Sequence, residues 1–340
     1  MNGGTRKFLT AVLILLMASV VVAPFLVVEK VNAQEEGSWT TLAPMPPFNS
    51  TLGAASVDGK IYHFGSGSCV KYDPETNTWT DIAPLPIYDD WSAVVACQNK
   101  IYVIGGQADV PTQVYDPATD TWENRTAVPS TRIGPRANVV DGKIYVMGGS
   151  LHSGLAMINP SSANDVYDPE TDSWSQMAPI PIPVMAHASA VLDDKIYVIS
   201  GGTNVSSTTY APTCHVQIFD PKTNKWTNGT SIPTGVAYAA ACVTTGISAP
   251  KRIYVIGGTQ NLYFRYTFLN PLDLNQIYDP ETDTWTNGTP MPTPRGDLGI
   301  VVINDEIYAI GGQISDDWGE LLLQTKNSLQ LGTFQSFLRG

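Results

Sequence analysis

Two short signatures recur in fixed order along almost the whole chain, and they restrict its fold more than any other feature. The first reads K-I-Y-V-M-G-G in the stretch ending at Gly148 and Gly149; the second reads V-Y-D-P-E-T-D-S-W from Val166 to Trp174. Versions of the first centre on Tyr62, Tyr102, Tyr145, Tyr197, Tyr254 and Tyr308, at spacings of 40, 43, 52, 57 and 54 residues. The second follows at Tyr72, Tyr115, Tyr167, Phe219 and Tyr278, each seven residues before a Trp: Trp79, Trp122, Trp174, Trp226 and Trp285. A period near 50 residues made of short strand-like segments predicts a repeat architecture.

Each repeat reads as four antiparallel strands. Small and β-branched residues flank a short polar turn before the Ile-Tyr, which predicts a hairpin. Paired glycines then allow close backbone approach or positive φ. A third strand ends at Tyr-Asp-Pro, and a fourth begins at the Trp after a D-P-x-T-x-x turn. Such a unit cannot bury both faces alone, so neighbours must stack, and radial stacking gives a propeller.

Double glycine, Tyr-Asp-Pro and Trp together resemble the kelch repeat over roughly residues 38 to 312. The resemblance implies an all-β, six-bladed kelch-type β-propeller, a fold that hosts enzymes, adaptors and binding proteins alike. S-W-T-T-L-A-P-M-P at 38 to 46 matches the fourth strand of the other repeats, while Gly299 to Gly312 supply only two strands of a last repeat. The N-terminal strand is therefore expected to complete the last blade, which removes exposed edges. Residues 34–312 form the propeller in this reading. Residues 313–340 form an atypical tail that contributes to or caps blade six.

Residues 1–33 carry Arg6 and Lys7, an apolar run from Phe8 to Val28, and Val31-Asn32-Ala33. This pattern predicts a secretory signal peptide cleaved after Ala33, with an uncleaved anchor as the competing reading. The chain has 19 basic and 31 acidic side chains, and the portion after Ala33 keeps 16 against 30. That balance disfavours nucleic acid and anionic lipid, so a membrane enters only through the N-terminal segment. Cys69 and Cys97 are 28 residues apart, as are Cys214 and Cys242. In an oxidising compartment these positions predict two interblade disulfides, Cys69–Cys97 and Cys214–Cys242. Metal binding is the rival, without C-x-x-C spacing or nearby His to support it. Sequons at Asn49, Asn124, Asn204, Asn228 and Asn287 are candidate glycosylation sites in a secreted or cell-surface protein.

Strand alternation sorts the connections onto two faces. Turns after strand one are mostly short and those after strand three are uniformly D-P-x-T-x-x, whereas those after strand two are long and unlike one another: 150 to 164, 203 to 215 and 259 to 275. Variable loops on a rigid scaffold are where recognition concentrates. The candidate ligand-binding residues on that face are Tyr263, Phe264, Arg265, Tyr266, Trp91, Arg136, Tyr238, Arg295 and Trp318, aromatics for contact area with charges for orientation. They point to a protein, peptide or glycan ligand and to a non-catalytic recognition module, with no cofactor and no metal.

The kelch resemblance also admits enzymes, including a copper radical oxidase and a sialic acid mutarotase. A copper site needs several His and Tyr ligands, and the four histidines, His63, His152, His187 and His215, are scattered over the repeats. No nucleophile elbow, H-E-x-x-H or phosphate loop is present. The catalytic alternative that remains is a sugar-acting enzyme of the mutarotase or epimerase kind.

Overall fold

The computed structural model describes residues 27–32, 38–46, 51–65, 68–87, 91–106, 110–153, 156–206, 209–262 and 270–314. They form an all-β propeller. Five four-stranded antiparallel sheets are each cut from one stretch of chain, with inner strands Thr51–Val57, Ala93–Cys97, Arg136–Val140, Ala188–Leu192 and Ala240–Val243. A further four-stranded sheet is assembled from both ends, in the order Gly299–Ile303, Glu306–Ile310, Val27–Asn32, Trp39–Pro44. The inner strands neighbour one another all the way round, Gly299–Ile303 lying between Ala240–Val243 and Thr51–Val57. The apolar core is divided accordingly into six clusters, one at each sheet-to-sheet interface.

The repeated signature is the fastener between sheets. The fifth residue of each D-P-x-T-x-x stretch, Asn77, Asp120, Asp172, Asn224 or Asp283, adopts positive φ, between 48° and 54°, which Asn and Asp tolerate. In the four repeats with a tyrosine, its carboxyl or amide oxygen accepts from that hydroxyl, as in Tyr167 Oη to Asp172 at 2.6 Å, while the repeat of Asn224 has Phe219 there. It also accepts from the backbone of the preceding sheet, as in Thr126 N to Asp172 at 3.0 Å and Ala178 N to Asn224 at 2.7 Å. The Trp then donates its Nε1 to a backbone carbonyl of that preceding sheet, Trp122 to Ala83 at 3.0 Å, Trp174 to Thr126 at 3.0 Å, Trp226 to Ala178 at 2.9 Å. Trp39 makes the equivalent bond to Thr289 O at 3.0 Å, so the sheet made from the two chain ends is fastened like the rest.

Trp39's strand completes the last sheet, as expected, but it does not come alone. The third position is taken by Val27–Asn32, paired with Glu306–Ile310 on one side and with Trp39–Pro44 on the other. The strand sought between 313 and 340 is thus supplied by six residues on the other side of the expected leader boundary at Ala33. Residues 1–26 and 315–340 lie outside the described residues. Among the described residues no helix is long and apolar enough to cross a membrane.

The expected disulfides are absent: Cys69, Cys97, Cys214 and Cys242 are all free thiols. The reason is strand direction. A third strand begins at the long-loop face, where Cys69 pairs with Phe64 and Cys214 precedes Val216–Asp220. An inner strand ends at the tight-turn face, where Cys97 lies opposite Lys100 and its Sγ donates to Gly142 O at 3.4 Å. Cys242 lies at the same end of its strand, opposite Tyr254. Equal spacing in sequence therefore leaves each pair at opposite ends of the sheets, beyond the reach of an S–S bond. Asn124, Asn228 and Asn287 are exposed on outermost strands and Asn204 is exposed on a hairpin; Asn49 lies outside the described residues.

Candidate functional site at one end of the propeller axis

Two residues before each of five inner strands the backbone turns left-handed: Trp91 (φ 70°), Gly134 (61°), Ala186 (50°), Tyr238 (58°) and Asp297 (54°). Backbone hydrogen bonds link these positions from one sheet to the next. Gly134 N donates to Trp91 O at 2.8 Å, Tyr238 N to Ala186 O at 2.7 Å, and Asp297 N to Tyr238 O at 2.8 Å. They ring the axis on the long-loop face. Isolated bridges tie the same connections to the start of the long loops, Ile133 to Ser150, Met185 to Gly202, Ala237 to Thr259 and Gly296 to Gln313.

The paired glycines make this closeness possible. A Cβ on Gly149, at φ 92°, would sit 2.8 Å from Ile133 O, and one on Gly201, at φ 86°, would sit 2.6 Å from the Cβ of His187. His187 is buried between the third and fourth sheets, and burial, with the nearby charges of Arg136 and Arg132, lowers its pKa to about 3, so it is neutral at physiological pH. His63 is buried and lowered to about 3 by desolvation alone. These two histidines are core residues of the propeller, in different sheets.

Three ionisable groups from different sheets act on one another at this end of the axis. Arg136 begins the third inner strand and donates its Nε to His187 O at 3.0 Å. Burial pushes the Tyr238 phenol up to about 12, with Asp297 adding to the rise and Arg136 opposing it. Burial likewise raises the Asp297 carboxyl above its usual range, against the pull of Arg136. One layer in, Asn138 Nδ2 donates to Ser189 Oγ at 3.0 Å and bridges neighbouring inner strands. Two of the long loops fold as hairpins above this end, Ser150–Ser153 with Ala156–Pro160 and Gly202–Ser206 with Thr209–Pro212, and they touch each other. Leu151 on the first is exposed.

Of the candidate ligand residues, the structure brings Trp91, Arg136 and Tyr238 to this ring, with Trp91 half-buried. Arg295 is corrected: it is 1% exposed, with Nη1 donating to Gly311 O at 2.8 Å, and is not on the recognition surface. Tyr263, Phe264, Arg265, Tyr266 and Trp318 lie outside the described residues. Among the described residues no three His, Cys, Asp or Glu side chains gather as metal ligands would. A cavity of about 290 Å³ opens on the other face between tight turns and is lined by Asp58, Tyr62, Asn99, Lys100 and Asp116, with Lys100 already paired to Asp116 at 3.6 Å.

Comparison with known proteins agrees with the architecture. Residues 53–258 match the family model described as the KLHDC2/KLHL20/DRC7 Kelch-repeats domain, and residues 247–292 match the Kelch motif. The chain is 34% identical over 158 residues to mouse Kelch-like protein 35, covering 45% of this chain and 23% of that protein. It is 32% identical over 182 residues to human Kelch repeat and BTB domain-containing protein 12, covering 51% and 28%. The chain thus spans about a quarter of the length of these relatives. The solved structure titled "Structure of YjhT" superposes with a TM-score of 0.63 at 19% identity, over 79% of this chain and 93% of that one, a likeness of fold.

Proposed function

The chain belongs to the kelch-repeat β-propeller proteins, and from that premise we propose that it is a recognition module that binds a protein or peptide on the long-loop face. The observation that carries this reading is the convergence of Arg136, Tyr238 and Asp297, from three different sheets, beneath the two projecting hairpins. A cation, a phenol donor and a carboxyl at the bottom of a rim of irregular loops offer orientation and contact area together. Kelch-repeat domains mediate protein–protein interaction, which supports the same reading.

We also infer that the chain is exported. The apolar run after Arg6 and Lys7 supports this, and so do sequon asparagines exposed at Asn124, Asn204, Asn228 and Asn287. Outside the cell a glycan is an equally accessible ligand for the same three groups. A sugar-acting enzyme is the second reading, favoured by one observation: Asp297, with its raised pKa beside Arg136, forms an acid–donor pair suited to a ring oxygen.

The test compares the wild-type chain, an axial variant (Arg136→Ala with Tyr238→Phe) and a tight-turn-face control (Lys222→Ala). All three are screened against arrays of extracellular domains, peptides and glycans. The module reading expects partners lost only by the axial variant; partners bound equally by all three chains would overturn it. Accelerated anomer exchange of a free sugar by the wild type, measured by NMR, would favour the enzyme instead.

A further inference from the structure

Four connections leading into an inner strand are gripped by the third strand of the sheet they enter, each at the residue six positions before that inner strand. Gln113 holds Ile87 through both backbone groups, accepting from Ile87 N at 2.8 Å and donating to Ile87 O at 2.8 Å. Gln217 holds Ile182 in the same way at 2.8 and 3.0 Å, and Gln276 holds Thr234 at 2.8 and 3.0 Å. In the third sheet the gripping residue is Asp165, which accepts from Ser130 Oγ.

In three of these connections the residue two places further along varies with the gripping residue. Val184 accompanies Gln217 and Val236 accompanies Gln276, and both valines are buried. Arg132, 0% exposed, accompanies Asp165: its Nη1 donates to the carboxylate at 2.6 Å and its Nη2 to Val146 O at 2.6 Å. In the sheet built from the two chain ends the equivalent connection residues are Thr293 and the buried Arg295. The gripping position is fixed by register: Gln113 pairs with Val103, Asp165 with Val146, Gln217 with Val198, Gln276 with Val255, and Glu29 with Ala309. An acid stands at this position in the two sheets whose connection carries a buried Arg.

We propose that residues 27–32 stay with the propeller when the leader is processed, because their register sets an acid, Glu29, at the position that Asp165 holds in the sheet where Arg132 is buried. A buried guanidinium needs an ionised partner, because removing one member of such a pair leaves an uncompensated charge in a low-dielectric interface. A cut after Ala33 would remove the acid and the whole third strand, and would expose the backbone edges of Glu306–Ile310 and Trp39–Pro44. Processing therefore falls before Val27 or does not occur, which leaves the apolar run from Phe8 as a tether in the second case.

The test is a rescue cycle in the full chain, with Arg132→Val and Asp165→Gln as a parallel cycle. Glu29→Gln and Arg295→Val each remove one charge and are expected to lower Tm by about 5 to 10 °C. The double variant recreates the Val and Gln combination found at Val184 with Gln217, and is expected to recover most of that loss. A silent Glu29→Gln, or losses that simply add, would overturn the part given to Glu29. Mass spectrometry of the protein recovered from exporting cells should find an N-terminus at or before Val27. Recovery of a folded chain that starts at Gln34, with the Tm of the full chain, would overturn the retained strand.

Discussion

Asp305 lies in the turn between Gly299–Ile303 and Glu306–Ile310, and it holds the connection between Val243 and Ile253 in the neighbouring sheet. It is 1% exposed and accepts hydrogen bonds from Thr245 N, from Thr245 Oγ1 at 3.0 Å, from Ser248 N at 2.7 Å and from Ala249 N at 3.0 Å. Burial alone would raise its pKa, but these four donors outweigh it and hold the carboxyl at about 2, below the usual 3.8. A depression of that size corresponds to about 2 kcal/mol of folding free energy at neutral pH. Because the folded pKa is the lower one, the contribution is complete above the unfolded value near 4 and is lost as pH falls through about 2. Asp305→Asn presents an NH2 to a site of donors and should lower Tm by about 4 °C at pH 7 in a chain of this size. Urea titrations of both chains should show the stability gap shrinking from about 2 kcal/mol at pH 7 to about 1 kcal/mol at pH 3. A gap that is constant between these pH values, or no gap at pH 7, would refute the role assigned to this carboxylate.

Three further outcomes follow from the same contacts. Trp174→Phe removes the donor to Thr126 O while keeping most of the ring against Tyr167, and should cost about 1 kcal/mol in urea denaturation. Gly149→Ala, at φ 92° with its new Cβ 2.8 Å from Ile133 O, should cost about 2 kcal/mol or more, and far more than Gly59→Ala, where nothing lies within 4 Å. Alkylation after unfolding without reductant should label four cysteines, and reductant should leave Tm unchanged, since no disulfide constrains the fold.

The architecture was legible because the residues of the repeated signature do the same jobs wherever they recur. The Tyr of Tyr-Asp-Pro, the Asp or Asn that closes the turn and the following Trp all meet the preceding sheet at fixed distances in sequence. Trp39 therefore announced its place despite lying at the far end of the chain. Val27–Asn32 did not. It lacks Tyr-Asp-Pro, and its valines run on from the apolar leader, so hydropathy merges strand and signal into one segment. The cysteines misled for a related reason: spacing counts residues along the chain but does not record which end of an antiparallel strand each reaches. Arg295 misled because a charged side chain in a connection reads as surface, whereas here an interface buries it.

Trp91, Arg136 and Tyr238 were named from the sequence, but the ring that joins them was not legible, for the opposite reason, and that reason helps to identify which of its members bind. Its backbone is the same in five sheets while its side chains are Trp, Gly, Ala, Tyr and Asp, so no motif marks it. Positions where both geometry and residue type repeat serve the fold; positions where geometry repeats and residue type varies are free to serve recognition. Tyr238 tests this most directly, because a tyrosine at φ 58° is strained where glycine, as at Gly134, is not. Tyr238→Gly gives up the partial burial of a ring but relieves that strain, so the two terms oppose each other and Tm should move by no more than about 3 °C. Binding on the long-loop face should be lost in the same variant. A large fall in Tm would show that the ring of Tyr238 is held for packing, and the distinction between repeated and varied positions would fail at the residue best placed to reveal it.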